Sequence, residues 1–286
     1  LLGLTHEAGD LENIEESPYF VEPGMGVWPW DATDKPELIS IKWEKGIPVK
    51  VNGDNYTLVE KKTREAVLRF PWLQMIIFSE LAVGGTGSKN SSFYLSEYLD
   101  KFKDLAKELD IWLIPGSFYE KEKEGIYNTA PVINSEGELV AKAQKLYPFL
   151  PYEVGVEAGS EVCVFEVPGS GKVGIHICYD LWFPETSRAL AFQGAEVILP
   201  PSLTDTIDRD VERAMVKATA AQQQCYYIDV NAGGEQGCGL SLIAGPDGEI
   251  LHDANLGEEF MLIEVDFDKV RRCRKRGLKG LGQPIK

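Results

Sequence analysis

Apolar positions along this chain change their spacing again and again, and each change marks an element. Between residues 56 and 70 they fall at Leu58, Val59, Ala66, Val67 and Phe70. That is the beat of a helix, and Pro71 stops it. Residues 72–78 form a short apolar run, which reads as a strand buried on both faces. A helix over 93–110 and a strand over 111–115 follow. Residues 129–133 and 139–146 read as a strand pair around the turn Ser135-Glu136-Gly137. Strands at 162–167 and 172–178 lead into a helix over 184–192, closed by Gly194. Beyond it the pattern predicts a strand at 196–199, a long helix over 210–224 and a strand at 226–230. Strands at 239–244 and 249–252 flank Pro246-Asp247-Gly248, and 260–265 is the last strand. Strands alternating with helices, with hairpins embedded among them, define an α/β domain with helices packed on sheets.

The beginning of the chain is different. Residues 1–6 look like the remnant of a buried strand. From 7 to 55 no strong period is found, and Pro18, Pro23, Gly24, Gly26, Pro29 and Pro36 interrupt the stretch. So long a loop suits a covering arm or lid. With no linker and no internal repeat, the expectation is one domain over 1–286, with an atypical arm at 7–55 and a basic tail at 269–286.

Composition narrows the function. Apolar residues make up 44% of the 286, and 29 Lys and Arg stand against 45 Asp and Glu, a net charge of −16. A surface this acidic argues against nucleic-acid or anionic-membrane partners, which need a basic face. Arg69, Glu80 and Lys142 interrupt every apolar run before it reaches the roughly 18 residues of a membrane span. The chain starts at Leu1, so it reads as trimmed. From Lys269 to Lys286 it carries eight basic residues and no acidic one, leaving −24 on the rest. Such a tail docks on its own domain, on a partner subunit, or stays solvated. Five cysteines and three histidines, with no C-x-x-C pair, give neither a disulfide framework nor a structural zinc site. An odd number of thiols points to a reducing, cytoplasmic compartment.

Three residues stand out chemically. Cys178 follows the strand Val173-Gly174-Ile175-His176-Ile177 and precedes a helix opened by Pro184 and Glu185. A thiol at such a turn lies near the positive end of a helix dipole, which lowers its pKa. A buried structural cysteine is the alternative. His176 is a poor base for it, because side chains two apart on a strand point in parallel. Glu80, leaving the apolar strand, and Lys145, before Leu146-Tyr147-Pro148-Phe149-Leu150, are each either surface charges at strand ends or part of a site. The glycine-rich Gly169-Ser170-Gly171-Lys172-Val173 fails as a phosphate loop, since Glu166 stands where the first glycine belongs and Val173 has no hydroxyl. Gly84-Gly85-Thr86-Gly87 has no dinucleotide spacing and turns the chain beside Glu80. Trp28, Trp30, Tyr147, Phe149, Tyr152 and Trp182 suit a pocket lining or a core equally well.

Together, Glu80, Lys145 and Cys178 resemble the Glu-Lys-Cys triad of the nitrilase superfamily of carbon–nitrogen hydrolases. The resemblance rests on Phe78-Ser79-Glu80-Leu81, on the run from Ala141 through Lys145 to Phe149, and on Cys178-Tyr179-Asp180 followed by Phe183-Pro184-Glu185. Gly194-Ala195-Glu196-Val197-Ile198-Leu199 extends it, and the 7–55 arm departs from it. The resemblance implies a four-layer αββα sandwich with mixed sheets, dimerised into αββα–αββα, and a mechanism without cofactor or metal. It further implies Glu80 as general base, Cys178 as nucleophile, and Lys145 with the Tyr179 backbone N–H as oxyanion donors. Glu153 matches a second acid that binds the amide or orients water, and Trp182 is a substrate-side candidate. Cys-Tyr-Asp is similar to the amidase branches, and Thr204-Asp205-Thr206-Ile207-Asp208-Arg209 to the formamidase neighbourhood. The expected reaction is hydrolysis of a small amide to acid and ammonia through a thioester. A nitrilase, an N-carbamoyl hydrolase and a non-enzymatic oligomeric scaffold are the alternatives. Leu181 and Trp182 stand where N-carbamoylases carry arginine, which weakens that alternative. The basic run from Lys269 to Lys279 is expected to pack against an acidic face of the neighbouring subunit.

Overall fold

The computed structural model describes residues 38–45 (as backbone), 54–87, 94–150, 152–256 and 259–277. The expected strand at 1–6, the tryptophans Trp28 and Trp30, most of the 7–55 arm and the tail beyond Gly277 lie outside the described residues.

Helix α1 (Tyr56–Arg69) is followed by β2 (Met75–Ile77), helix α2 (Leu99–Leu109) and β3 (Trp112–Ile114). Side chains alternate across β2 because successive Cβ atoms point to opposite faces. Met75 and Ile77 join one buried cluster with Ile114, Val132 and Val173. Ile76 and Phe78 join another with Val59 and Ala66 of α1 and Phe102 and Leu105 of α2. The first sheet completes itself with β4 (Phe118–Glu122), β5 (Gly125–Ile133), β6 (Leu139–Gln144) and β14 (Glu259–Asp266). Its order is β14-β1-β2-β3-β5-β4, with β6 on β5.

The second sheet repeats the logic. It contains β7 (Cys163–Val167), β8 (Gly171–Ile175), β9 (Val197–Leu199), β10 (Pro201–Ser202), β11 (Tyr226–Asn231), β12 (Leu242–Ala244) and β13 (Ile250–Asp253). Their order is β13-β12-β11-β9-β8-β7, with β10 beside β11. Val197 and Leu199 face the same cluster as Met75, whereas Ile198 and Tyr227 face Val216 and Ala220 of α4 (Arg209–Gln223) and Leu190 of α3 (Pro184–Phe192). Two sheets share one apolar layer, and each buries its outer face under two helices. That is the αββα sandwich expected from the resemblance, with parallel and antiparallel pairs mixed in each sheet.

One expectation needs correction. Residues 38–45 are not loop: Leu38–Lys45 is strand β1, antiparallel to β14 and parallel to β2. Their alternation, Ile39, Ile41 and Trp43 against Ser40, Lys42 and Glu44, was readable but surrounded by prolines and glycines. The described part of the basic run has partners within this chain. Phe267–Arg276 is helix α5, capped by the Asp266 carboxylate on the Lys269 N–H at 2.9 Å. Phe267, Val270 and Cys273 are buried, and the charges dock on this chain itself. Arg271 meets Glu196 at 2.9 Å, Arg272 meets Asp266 at 3.0 Å, Lys269 pairs with Glu249, and Arg274 donates to the Ala195 and Gln224 carbonyls. The acidic body of this chain thus supplies counter-charges to Lys269, Arg271 and Arg272.

Candidate active site

The ends of the two sheets bring the three singled-out residues together. Glu80 lies three residues beyond β2, Lys145 directly follows β6, and Cys178 opens a 3-10 turn over Cys178–Trp182. Each backbone is pinned. The Glu80 N–H donates to Ser202 O across the sheets at 3.3 Å, and the Leu81 N–H to Ser117 Oγ at 3.2 Å. The Lys145 N–H continues the β5–β6 ladder onto Asn128 O at 2.8 Å. Asp180 accepts from the Ile177 N–H at 2.9 Å and the Tyr147 N–H at 2.8 Å, clamping the turn that holds Cys178. Burial pushes the Asp180 carboxyl up to about 6, against the pull of those N–H donors. Cys178 itself sits at φ +46° and Leu81 at +50°. Left-handed backbone costs a non-glycine residue on the order of 1 kcal/mol, and it is found here beside both the thiol and the carboxylate.

Glu80, Lys145 and Glu153 are 3%, 2% and 4% exposed, so their charges must satisfy one another. The Lys145 ammonium bridges Glu80 Oε1 and Glu153 Oε2, both at 2.8 Å. Burial opposes the Lys145 charge, yet the two carboxylates hold its pKa well above the ordinary lysine value. Glu80 is raised, by burial first and by Glu153 as well, although Lys145 pulls it down. The Cys178 thiol is likewise pushed well up by burial and by the charge of Glu80. This overturns the expectation of a lowered pKa from the helix end: desolvation outweighs a half-charge of helix dipole.

Asn128, missed in the sequence, belongs to the same cluster. Its side-chain N–H2 donates to Glu80 Oε1 and to Glu153 Oε1, each at 2.8 Å. Glu80 Oε1 therefore receives two donors, Lys145 and Asn128, while the Cys178 thiol supplies a further hydrogen bond to this carboxylate. Tyr119, also missed, is buried and hydrogen-bonds Glu153, and burial raises its hydroxyl pKa. Glu153 is seated by the loop before it, with the Phe149 N–H on its Oε2 at 2.7 Å.

The other candidates fall near this centre. Tyr179 packs on Phe149 with centroids 4.8 Å apart and lies 6.3 Å from Trp182, and Phe149 stacks on Tyr152 at 5.6 Å. Tyr147 stacks on Phe183 at 3.5 Å. The Trp182 indole N–H donates to Glu212 Oε1 at 3.2 Å. His176 is apart from the thiol: its Nε2 meets the Tyr227 hydroxyl, and burial lowers its pKa to about 3. The Gly84–Gly87 stretch turns the chain after Glu80, starting with the Gly85 N–H on Leu81 O at 2.9 Å. No helix among the described residues is long and apolar enough to cross a membrane.

A two-sheet sandwich with a buried Glu, Lys and Cys meeting at its sheet ends defines a class of thiol-dependent hydrolase architecture. The carbon-nitrogen hydrolase family model matches residues 53–275, and the chain belongs to that family, among enzymes that hydrolyse non-peptide C–N bonds. The deaminated glutathione amidase of Dictyostelium discoideum is 29% identical over 243 residues, covering 76% of this chain and 83% of that protein. The N-carbamoylputrescine amidase of Solanum lycopersicum is 32% identical over 205 residues, covering 61% of this chain and 66% of that one. Among solved structures, Saccharomyces cerevisiae Nit3, a member of branch 10 of the nitrilase superfamily, superposes with a TM-score of 0.74 at 21% identity. That match covers 83% of this chain and 94% of the yeast chain. The strand β1 lies outside the family match, although it completes the first sheet.

Proposed function

We propose that the chain hydrolyses a small amide to a carboxylic acid and ammonia, with Glu80 as base, Cys178 as nucleophile and Lys145 as oxyanion donor. The observation that carries this reading is the buried Lys145 ammonium bridging two carboxylates beside a buried thiol. Glu80 takes the Cys178 proton as the sulfur bonds to the carbonyl carbon. The π electrons move onto oxygen, where Lys145 and the Tyr179 N–H hold the negative charge. Tyr179 stands in the first turn of its 3-10 helix, where N–H groups are free for such a partner. Glu80 then gives its proton to the leaving nitrogen, the C–N bond breaks, ammonia departs, and a thioester remains. Water attacks the thioester while Glu80 takes its proton, the C–S bond breaks, and Glu80 returns a proton to the sulfur. Glu153 and Asn128 hold Glu80 and Lys145 in register throughout. A raised thiol pKa suits this scheme, because proton and nucleophile leave together rather than from a standing thiolate.

The alternatives make distinct products. A nitrilase adds water twice to a C≡N group, and the likeness to a carbamoyl amidase keeps the carbamoyl amide within the panel. Ammonia release from primary amides, nitriles and N-carbamoyl amines, with Cys178→Ala as control, separates them. Loss of amide turnover by several orders of magnitude in the control is expected. A native chain no faster than the control on every amide ends the amidase reading. If no compound releases ammonia, the scaffold reading gains.

We also read the chain as a homodimer. Phe192 of α3 and Val211 of α4 are exposed, as is Ile207 just before α4, which leaves apolar surface on that helical layer. Sedimentation velocity at micromolar concentration should show twice the chain mass, and Val211→Glu should shift it toward monomer. A monomer throughout ends the idea.

A further inference from the structure

The thiol also neighbours polar groups that the triad does not use. Leu203 O lies 3.9 Å from Cys178 Sγ, and Thr204 Oγ1 lies 4.0 Å from it. Thr204 sits between β10 and α4, and its backbone is held from both sides by Asn231. Its N–H donates to Asn231 Oδ1 at 2.8 Å, and its carbonyl accepts from Asn231 Nδ2 at 2.9 Å. Its hydroxyl donates to Glu212 Oε1 at 3.1 Å.

Glu212 is in turn fixed as an acceptor. Its Oε1 also takes the Trp182 indole N–H, and its Oε2 takes the Arg209 guanidinium at 3.0 Å. Both oxygens of this carboxylate are engaged by donors, and the Arg209 cation pulls its pKa down against the rise that burial and Asp229 cause. Arg209, 2% exposed, also reaches Asp229 and the Leu240 carbonyl. Asp229 accepts from Ser202 Oγ at 2.9 Å, and Ser202 O takes the Glu80 N–H. A continuous chain of hydrogen bonds thus runs from the Glu80 backbone to Thr204, beside Cys178.

The consequence is directional. A hydroxyl has one proton, and Thr204 has committed it to a carboxylate that accepts only. Toward the thiol, Thr204 therefore presents lone pairs, and Leu203 presents a carbonyl oxygen. Before attack, a substrate carbon stands about 3–3.5 Å from the sulfur, with its leaving atom about one bond further round. Two acceptors at about 4 Å from the sulfur are within hydrogen-bond range of an N–H2 group on that carbon. They have nothing to offer an ester oxygen, which brings no proton, or a nitrile nitrogen.

We propose that Thr204, oriented by the Glu212–Arg209–Asp229 cluster, is a specificity residue that accepts a hydrogen bond from the leaving –NH2 of a primary carboxamide. This deepens the amidase reading and rests on it. Glu212 and Arg209 are positioning residues: they act by holding the Thr204 proton away from the substrate.

The test compares the best primary amide of the panel above with its matched methyl ester. The value of kcat/KM is the readout, because it stops at acylation and is blind to the shared thioester step. Thr204→Val keeps the shape and removes the acceptor, and Thr204→Ser restores it. Thr204→Val should lose roughly tenfold on the amide, the worth of one hydrogen bond, and little on the ester. Thr204→Ser should stay near native on both. Equal losses on amide and ester in Thr204→Val show a structural role and overturn the proposal, as does undiminished preference for the amide. A native chain that attacks no amide at all defeats the functional reading instead, so the two failures are distinct.

Discussion

The two sheets contribute unlike halves to one site. The first sheet brings Glu80, Asn128, Lys145 and Glu153, whose charged atoms touch one another directly at 2.8 Å. The second brings Cys178 and Thr204, with its charges, Arg209, Glu212 and Asp229, set one layer back. Each of these two clusters pairs two buried carboxylates with one cation, and Asp180 is a further buried carboxylate at the Cys178 turn. In the first half the cluster acts on the thiol through Glu80, the base of the proposed mechanism. In the second, the Thr204 hydroxyl stands between the thiol and Glu212, whose charge still raises the thiol pKa. The two clusters therefore differ in their proposed work: Glu80 is the proposed base, and Glu212 is proposed to orient Thr204.

Removing the cation of the first half should break this comparison most sharply. Lys145→Met leaves Glu80 and Glu153 facing each other in a dry site. Breaking a buried pair in this way costs about 3–5 kcal/mol of stability, and loss of an oxyanion donor costs about 10²–10³ in kcat. Urea unfolding and amide turnover measure both, and a loss under about 1 kcal/mol would show that the cluster is not dry. Asn128→Leu makes the milder cut. Its amide stabilises the ionised form of Glu80, so its removal raises a pKa that burial has already raised. The base works only when ionised, so the acid limb of the kcat/KM profile should move to higher pH, by about one unit. Glu153, Lys145 and Cys178 face the same carboxylate and stay in place. An unmoved acid limb with lower rate at every pH would reduce Asn128 to packing.

The layers and the triad were readable because they rest on short-range features. The helix over Pro184–Phe192 was readable to the residue, since Pro184 opens it and Gly194 follows its end. Glu80, Lys145 and Cys178 carry motif around them, so each marked itself within a few neighbours. Asn128 did not. It stands in the strand run Tyr127-Asn128-Thr129, and only the pairing of β5 with β6 turns its amide toward Glu80. Arg209 and Asp229 stand twenty residues apart, and only the fold puts them in contact. Helix α5 was obscured by its own charge, which drew attention to a partner when Glu196, Glu249 and Asp266 were nearer.

What the amino-acid order determined on its own was periodicity, the residues that start and stop each element, and the chemical types at three strand ends. These depend on neighbours within about one helical turn. The tertiary structure alone decided which atoms share a proton and which way each pKa moves. Local position at a helix start argued for a lowered Cys178 pKa, but burial, with the charges of Glu80 and Glu212, raised it against the pull of Lys145. Desolvation is a sum over everything that displaces water, and most of what surrounds this thiol comes from segments far from it in the chain.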